Sequence, residues 1–164
     1  MIFVLGTTIG CDRATKHVAA TALAGAPIQS FLAGTVQLQY AENAGGFLSV
    51  GANLPPVART AVFTIGTGLV LIALVATGIR MRVSGWRLVG LTLFLAGGAS
   101  NWFDRATRGS VVDFISVGLG PLRTGIFNVA DVAILLGVTL VMIEEVRRHR
   151  AEPLPADVGS GHES

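Results

Sequence analysis

Four stretches of this chain are apolar over lengths that approach the thickness of a lipid bilayer. The clearest is Thr60 to Ile79, with no charge inside it, Arg59 before it and Arg80 and Arg82 after it. A membrane-crossing helix takes about 20 mostly apolar residues. A second stretch runs from about Leu88 to Trp102 and turns polar only near its end. A third runs from about Ile126 to Ile143 and contains Asn128 and Asp131. The remaining one is N-terminal, Met1 to about Leu23, interrupted by Asp12, Arg13, Lys16 and His17. The pattern predicts four helices with both termini on the same side.

The connections carry a different period. Val36, Leu38 and Tyr40 alternate with Gln37, Gln39 and Ala41, the signature of a half-buried strand. Asn43-Ala44-Gly45-Gly46 is turn chemistry, Phe47 to Val50 reads as a second short strand, and Pro55-Pro56 ends it before the second helix. Between helices three and four, Val111 to Ile115 is another strand, followed by an irregular segment with Gly118, Gly120, Pro121 and Gly125. Both strand-bearing loops fall on one side of the membrane, so a small sheet is expected to cap the bundle.

Composition agrees with lipid as solvent. Of 164 residues 51% are hydrophobic and only 13% charged, against about 25% charged in soluble domains. The net charge of +2 gives no reason to expect nucleic acid. Cys11 is the single cysteine, which leaves no disulfide framework and no cysteine-based zinc site. Met1 to Gly10 followed by Cys11 does not make a lipoprotein signal: no basic residue precedes it and Thr8 stands where a large aliphatic residue is usual. The chain through residue 150 reads as one membrane-embedded domain, and 151–164, with two prolines and two glycines, as a disordered tail.

Orientation is balanced on charge. Arg80, Arg82, Arg87, Arg147, Arg148 and Arg150 lie on one side, and Arg13, Lys16, Arg59, Arg105, Arg108 and Arg123 on the other, six against six. The second set is interleaved with Asp12, Asp104 and Asp113, as residues serving a site would be, so the first set is placed in the cytoplasm.

Ionisable residues at membrane depth are costly and point to function. Five acids share the outer side: Asp12, Glu42, Asp104, Asp113 and Asp131. Asn101, Asp104 and Arg105, spaced i, i+3, i+4, share one helical face. For Asp104 a solvated helix-end acid is an equal reading. Arg105 is a fixed cation that can hold a carboxylate or a lipid phosphate. Asn128 and Asp131 are spaced i, i+3, which is also the pattern of a helix N-cap and first-turn acid. Asp12 and Lys16, spaced i, i+4, are equally a surface salt bridge or a brace at the site. Asp113 sits inside an apolar strand. Beside a second carboxylate it would share a proton, one acid ionised to activate water and the other protonated to polarise a carbonyl. His17, His149 and His162 are scattered, and no H-E-x-x-H, G-x-S-x-G or phosphate-binding loop is present. No metal and no organic cofactor are expected.

Five stretches in order, Asp12-Arg-Ala-Thr-Lys16, Glu42-Asn-Ala-Gly-Gly-Phe47, Gly97-Gly-Ala-Ser-Asn-Trp-Phe-Asp-Arg105, Gly109-Ser-Val-Val-Asp-Phe114 and Phe127-Asn-Val-Ala-Asp131, resemble the lipoprotein signal peptidases, or signal peptidase II. The resemblance implies a bundle of four transmembrane helices with a small periplasmic β-domain, in the bacterial inner membrane, both termini cytoplasmic and the active site at the periplasmic face. It implies an aspartic endopeptidase that cuts prolipoproteins before a diacylglyceryl-modified cysteine. Asp113 and Asp131 would be the catalytic pair, with Asn128 and Asn101 positioning the pair or the substrate backbone. Arg105 would serve the polar network or the substrate lipid, Asp12 and Lys16 would brace helix one, and Asn43 would lie in the covering loop. Prolipoprotein substrates and membrane lipids are the expected partners, and a monomer the expected state. Two departures stand out. Gly45-Gly46-Phe47 is one residue shorter than the commoner G-A-A-F form, with Gly46 in place of an alanine. Only 11 residues precede Asp12, about half a bilayer core at 1.5 Å each, so a truncated first helix or a start further upstream is expected.

Two other classes remain. A small transporter or proton pathway would spread acids through the membrane depth on several helices, whereas here they cluster at one face and the second helix has none. A non-catalytic relative should lack one of the two aspartates, and both are present.

Overall fold

The computed structural model describes residues 1–46, 50–51 and 53–151. Its helices are α1 (Ile2–Ala22), α2 (Pro56–Arg80), α3 (Gly85–Arg108) and α4 (Val129–Ala151). They have 21, 25, 24 and 23 residues, each about 30 Å or more at 1.5 Å per residue. Four helices were expected and four are found among the described residues. By length and apolarity alone, however, only α2 qualifies as a membrane span; the other three carry charged residues within their length.

Several of those charges face inward. Asp12, Lys16, Asn101, Asp104, Asp113 and Asn128 are buried, while Ile2, Phe3, Ile72, Ile79, Leu135 and Met142 are exposed. Water selects the opposite arrangement; lipid tolerates apolar side chains outside and demands that polar ones be paired inside.

The helices pack through small residues. A Cβ at Gly90 would stand 2.7 Å from the Gly137 carbonyl oxygen, and one at Gly97 would run into the Ala130 carbonyl. Glycine at these points lets α3 and α4 touch backbone to backbone. In α2 the segment Thr60–Gly66 is π-helical, and the Thr64 carbonyl accepts a hydrogen bond from the Trp102 indole at 2.9 Å. Single turns of this kind recur near functional sites.

The sheet is antiparallel, in the order β1 (Gln29–Phe31), β2 (Val36–Asn43), β3 (Val111–Leu119), β4 (Leu122–Arg123). The expected strands over 36–41 and 111–115 are present and longer; β1 and β4 were not expected. The expected strand at Phe47 to Val50 lies largely outside the described residues, and Val50 itself is in a turn. The proposed tail likewise lies outside them after Ala151. The sheet packs on α1, where Ala19 and Leu23 meet Val112 and Phe114.

A bulge sets which β2 side chains face the helices' polar ends. Leu38 pairs with Ile115, but Ala41 pairs with Asp113 and Asn43 with Val111. β2 thus spends one more residue than β3 over this interval, and the extra residue reverses its alternation. Asn43 consequently lies on the Asp113 face, one diagonal step away. The fourth helix begins at Val129 rather than Ile126 because Phe127 is still in the sheet: its N–H donates to the Ile115 carbonyl at 2.8 Å.

Candidate active site

Five elements converge where the sheet meets the bundle. β3 carries Asp113, buried in the strand, and the start of α4 carries Asn128 and Asp131. The Asn128 side-chain nitrogen donates to Asp113 Oδ1 at 2.6 Å. Its side-chain oxygen accepts from the Asp131 N–H at 3.0 Å, and its own N–H donates to Asp131 Oδ2 at 3.1 Å. The last two bonds form a reciprocal helix-capping arrangement. The capping reading of Asn128 and Asp131 is therefore met, and Asn128 bonds Asp113 as well.

The second oxygen of each carboxylate is held as well. Asn43 Nδ2 donates to Asp113 Oδ2 at 2.9 Å, and Asn101 Nδ2 donates to Asp131 Oδ1 at 2.9 Å. Burial pushes the Asp113 carboxyl above its ordinary 3.8, against the hydrogen bonds from Asn43 and Asn128 and the more distant charges of Lys16 and Arg105. Asp131 is half-buried and lines an apolar cleft of about 330 Å³ with Val117, Phe127, Val132 and Leu135.

Beneath the pair lies a charged cluster. Lys16 Nζ donates to Asn101 Oδ1 at 2.7 Å and to Asp104 Oδ2 at 2.8 Å, and pairs with Asp12 Oδ2 at 2.8 Å. Asp12 and Lys16 are 0% and 3% exposed, so the surface salt-bridge reading is corrected: the pair is internal. Asp12 also accepts from Ser100 Oγ at 2.6 Å and from the Ala130 N–H at 2.8 Å. It satisfies one of the orphan N–H groups at the start of α4 from another helix. Asp104 is buried rather than solvated, bound by Lys16 and by Arg13. No buried side-chain nitrogen or oxygen lacks a partner among the described residues.

Arg105 contacts neither carboxylate by hydrogen bond. Its Nε and Nη2 donate to the Gly45 carbonyl at 3.0 and 2.6 Å, and its Nη1 to the Asn101 carbonyl at 3.3 Å. It fastens the turn after β2 to α3. Asn43 shapes the same turn, accepting from the Gly45 N–H at 3.0 Å and donating to the Gly46 carbonyl at 3.0 Å. A Cβ at Gly46 would stand 2.7 Å from the Phe63 ring, so a larger residue there would have to displace that ring. Glu42 is outside the cluster, on an exposed position, accepting from Tyr40 Oη and Ser110 Oγ.

The eight residues named as site residues by the resemblance, Asp12, Lys16, Asn43, Asn101, Arg105, Asp113, Asn128 and Asp131, thus meet in one network, and Glu42 does not join it. Three participants were missed. Arg13 was assigned only to the outer charge count, although it sits one residue after Asp12 and therefore on an adjacent part of the same helix. Ser100 and the backbone of Gly45 offered no signal, since a hydroxyl one residue from Asn101 and a carbonyl in a loop are common everywhere. Among the described residues no group of three or more His, Cys, Asp or Glu side chains is placed to hold a metal ion.

The sequence and the fold have counterparts. Residues 4–147 match the family described as Signal peptidase (SPase) II. The chain belongs to the signal peptidase II family. A lipoprotein signal peptidase of Gloeobacter violaceus is 30% identical over 148 residues, covering 90% of this chain and 82% of that one. One from Streptococcus pneumoniae is 31% identical over 136 residues, 82% of this chain and 84% of that one. The fold is similar to that of a bacterial membrane enzyme solved by the in meso method at 2.3 Å resolution, with a TM-score of 0.78 and 25% identity over 95% of this chain and 93% of that one. As a signal peptidase II, the chain is an aspartic endopeptidase that removes signal peptides from prolipoproteins.

Proposed function

We propose that Asp113 and Asp131 are the catalytic pair, and that they cut the prolipoprotein before a diacylglyceryl-modified cysteine. The observation that carries this reading is Asn128, which bonds to both carboxylates at once. Two carboxyl groups held this way share one negative charge more easily than they carry two. One then takes a proton from water while the other donates to the scissile carbonyl. Asn43 and Asn101 fix the outer oxygen of each acid, Arg105 fixes the loop above them, and Asp12 and Lys16 hold the start of α4. The apolar cleft beside Asp131 suits a lipid-modified substrate approaching from the bilayer.

The membrane arrangement belongs to the same proposal. Residues 1–150 form one peptidase body with four spans, acting as a monomer, and the remaining residues are a cytoplasmic tail. The charge balance that is level in the sequence is uneven in the fold. On the sheet side Arg13, Lys16, Arg105 and Arg123 are engaged by internal acceptors. On the other side, among the described arginines, only Arg87 is paired with an acid, Glu145 at 3.2 Å. The free positive charge thus favours the α2–α3 turn and the end of α4 as cytoplasmic, with the site at the outer face of a bacterial inner membrane.

The test is cleavage of a diacylglyceryl-modified prolipoprotein by the purified protein in detergent, beside Asp113→Asn and Asp131→Asn. The parent should cut before the modified cysteine, and each folded variant should be inactive. Turnover retained by either variant would reject the pair. An unmodified precursor should not be cut.

A further inference from the structure

At the end of the bundle opposite the sheet, a cavity of about 340 Å³ opens between the α2–α3 turn and the last turns of α4. Its volume lies within the range of small-ligand sites, about 300–1,000 Å³. Arg82 from the turn, Arg87 from α3 and Arg148 from α4 line it, together with Ser84, Gly85 and, as the one acid, Glu144. Three separate elements each deliver a guanidinium to one concavity.

Their partners differ. Arg87 is held by Glu145, outside the cavity wall, so its position is fixed. Arg82 and Arg148 have no acidic partner among the described residues. Arg82 also occupies φ +48, a region that side chains other than glycine, asparagine and aspartate seldom take. Such backbone positions persist only where the surrounding structure holds them, and they cluster at functional sites. Trp86, exposed beside the cavity, is an aromatic of the kind found at headgroup level.

We infer that this cavity binds the phosphodiester headgroup of an anionic phospholipid, with Arg82 and Arg148 as its principal donors and Arg87 as a fixed third charge. Planar guanidinium forks match phosphate oxygens bidentately, and basic pockets between membrane helices are suited to such headgroups. The site lies at the far end of the helices from Asp113 and Asp131, and the inference depends on membrane embedding but not on which leaflet faces the cytoplasm.

The experiment uses the full chain in a neutral detergent. Short-chain phosphatidylglycerol, phosphatidylcholine of the same acyl length, and inorganic phosphate are each titrated, with Tm and Trp86 emission as readouts in a Trp102→Phe background. Phosphatidylglycerol should give a saturable shift in both readouts, and phosphatidylcholine none. In Arg82→Ala/Arg148→Ala the half-saturating concentration should rise about tenfold or more, the size expected for losing a charge-assisted hydrogen bond. Peptidase activity in the absence of added lipid should be unchanged. Arg147→Ala/Arg150→Ala, outside the cavity, should respond like the parent. Equal responses to the two lipids, an equal response in the two double variants, or inorganic phosphate matching phosphatidylglycerol at the same concentration would each overturn the headgroup site. Since none of these readouts requires cleavage, their failure is distinct from failure of the aspartate pair.

Discussion

Asn128 and Asp131 hold each other at both ends of one helical turn: the asparagine oxygen accepts from the Asp131 N–H at 3.0 Å, and the Asp131 carboxylate accepts from the Asn128 N–H at 3.1 Å. The same asparagine donates to Asp113. Helix capping, which needs a polar side chain here for stability alone, is thereby used to aim a carboxylate.

The two duties of Asn128 are separable. Asn128→Ala should lose about 1 kcal/mol of stability through the lost cap, and turnover should fall about 100-fold, the scale of an ångström misplacement in a catalytic group. Asn128→Ser keeps a capping oxygen but has no donor that reaches Asp113 in the same way. It should restore Tm while leaving turnover low. Recovery of both together would mean that capping is all the residue does.

Gly97 and Gly98 form a matched pair of tests. A methyl at Gly97 meets the rigid Ala130 carbonyl, one residue before Asp131, whereas a methyl at Gly98 meets the end of the Leu71 side chain at 2.8 Å. Gly97→Ala should cost about 1–3 kcal/mol, as overpacking does, and lower turnover by displacing the start of α4. Gly98→Ala should be milder in both thermal unfolding and cleavage rate.

Lys16 is the cation shared by Asp12 and Asp104, both buried. Lys16→Met leaves two carboxylates with their common counter-ion removed. A loss of about 3–5 kcal/mol is expected for breaking a buried pair this way, read as a large drop in Tm. A change within experimental error would mean that the Arg13 charge and the Ser100 hydrogen bond suffice to hold the two carboxylates.

Asp113 makes a prediction in pH. Its folded pKa lies above 3.8 because burial penalises the ionised form. The folded state therefore binds this proton more readily than the unfolded chain, so the contribution is most favourable at low pH and is lost as pH rises through the folded pKa. Measured against Asp113→Ala, the parent should gain stability as pH is lowered from about 8 towards about 4. A parent that loses ground over that interval would reverse the assigned direction.

Much of the site was legible because its residues sit in short periodic motifs. The i, i+3 and i, i+4 spacings of Asn101, Asp104 and Arg105, and of Asn128 and Asp131, fix which side chains share a helical face, whatever the rest of the chain does. What those faces meet depends on contacts distant in sequence. The Arg13–Asp104 pair joins residues of α1 and α3, and no local pattern reports it. The three-residue β1 is fully exposed, so it carries no buried period to read, and β4 is only two residues. Nor does hydropathy reveal that Asp12 and Lys16 of α1 and Asp104 of α3 are directed inward; among the described residues only α2 looks like a membrane span by composition, because the other three helices carry charged residues within their length.

The irregularity in β2 means that the chemistry depends on counting. Were the extra residue drawn into the ladder instead, so that pairing ran in step from Leu38, Glu42 rather than Asn43 would stand opposite Val111. Inside and outside would trade places over the strand's last turn of the pleat, bringing a carboxylate towards Asp113 and turning its amide donor away. A one-residue slip along a strand that carries neither aspartate would thus silence the enzyme without touching a single acidic residue.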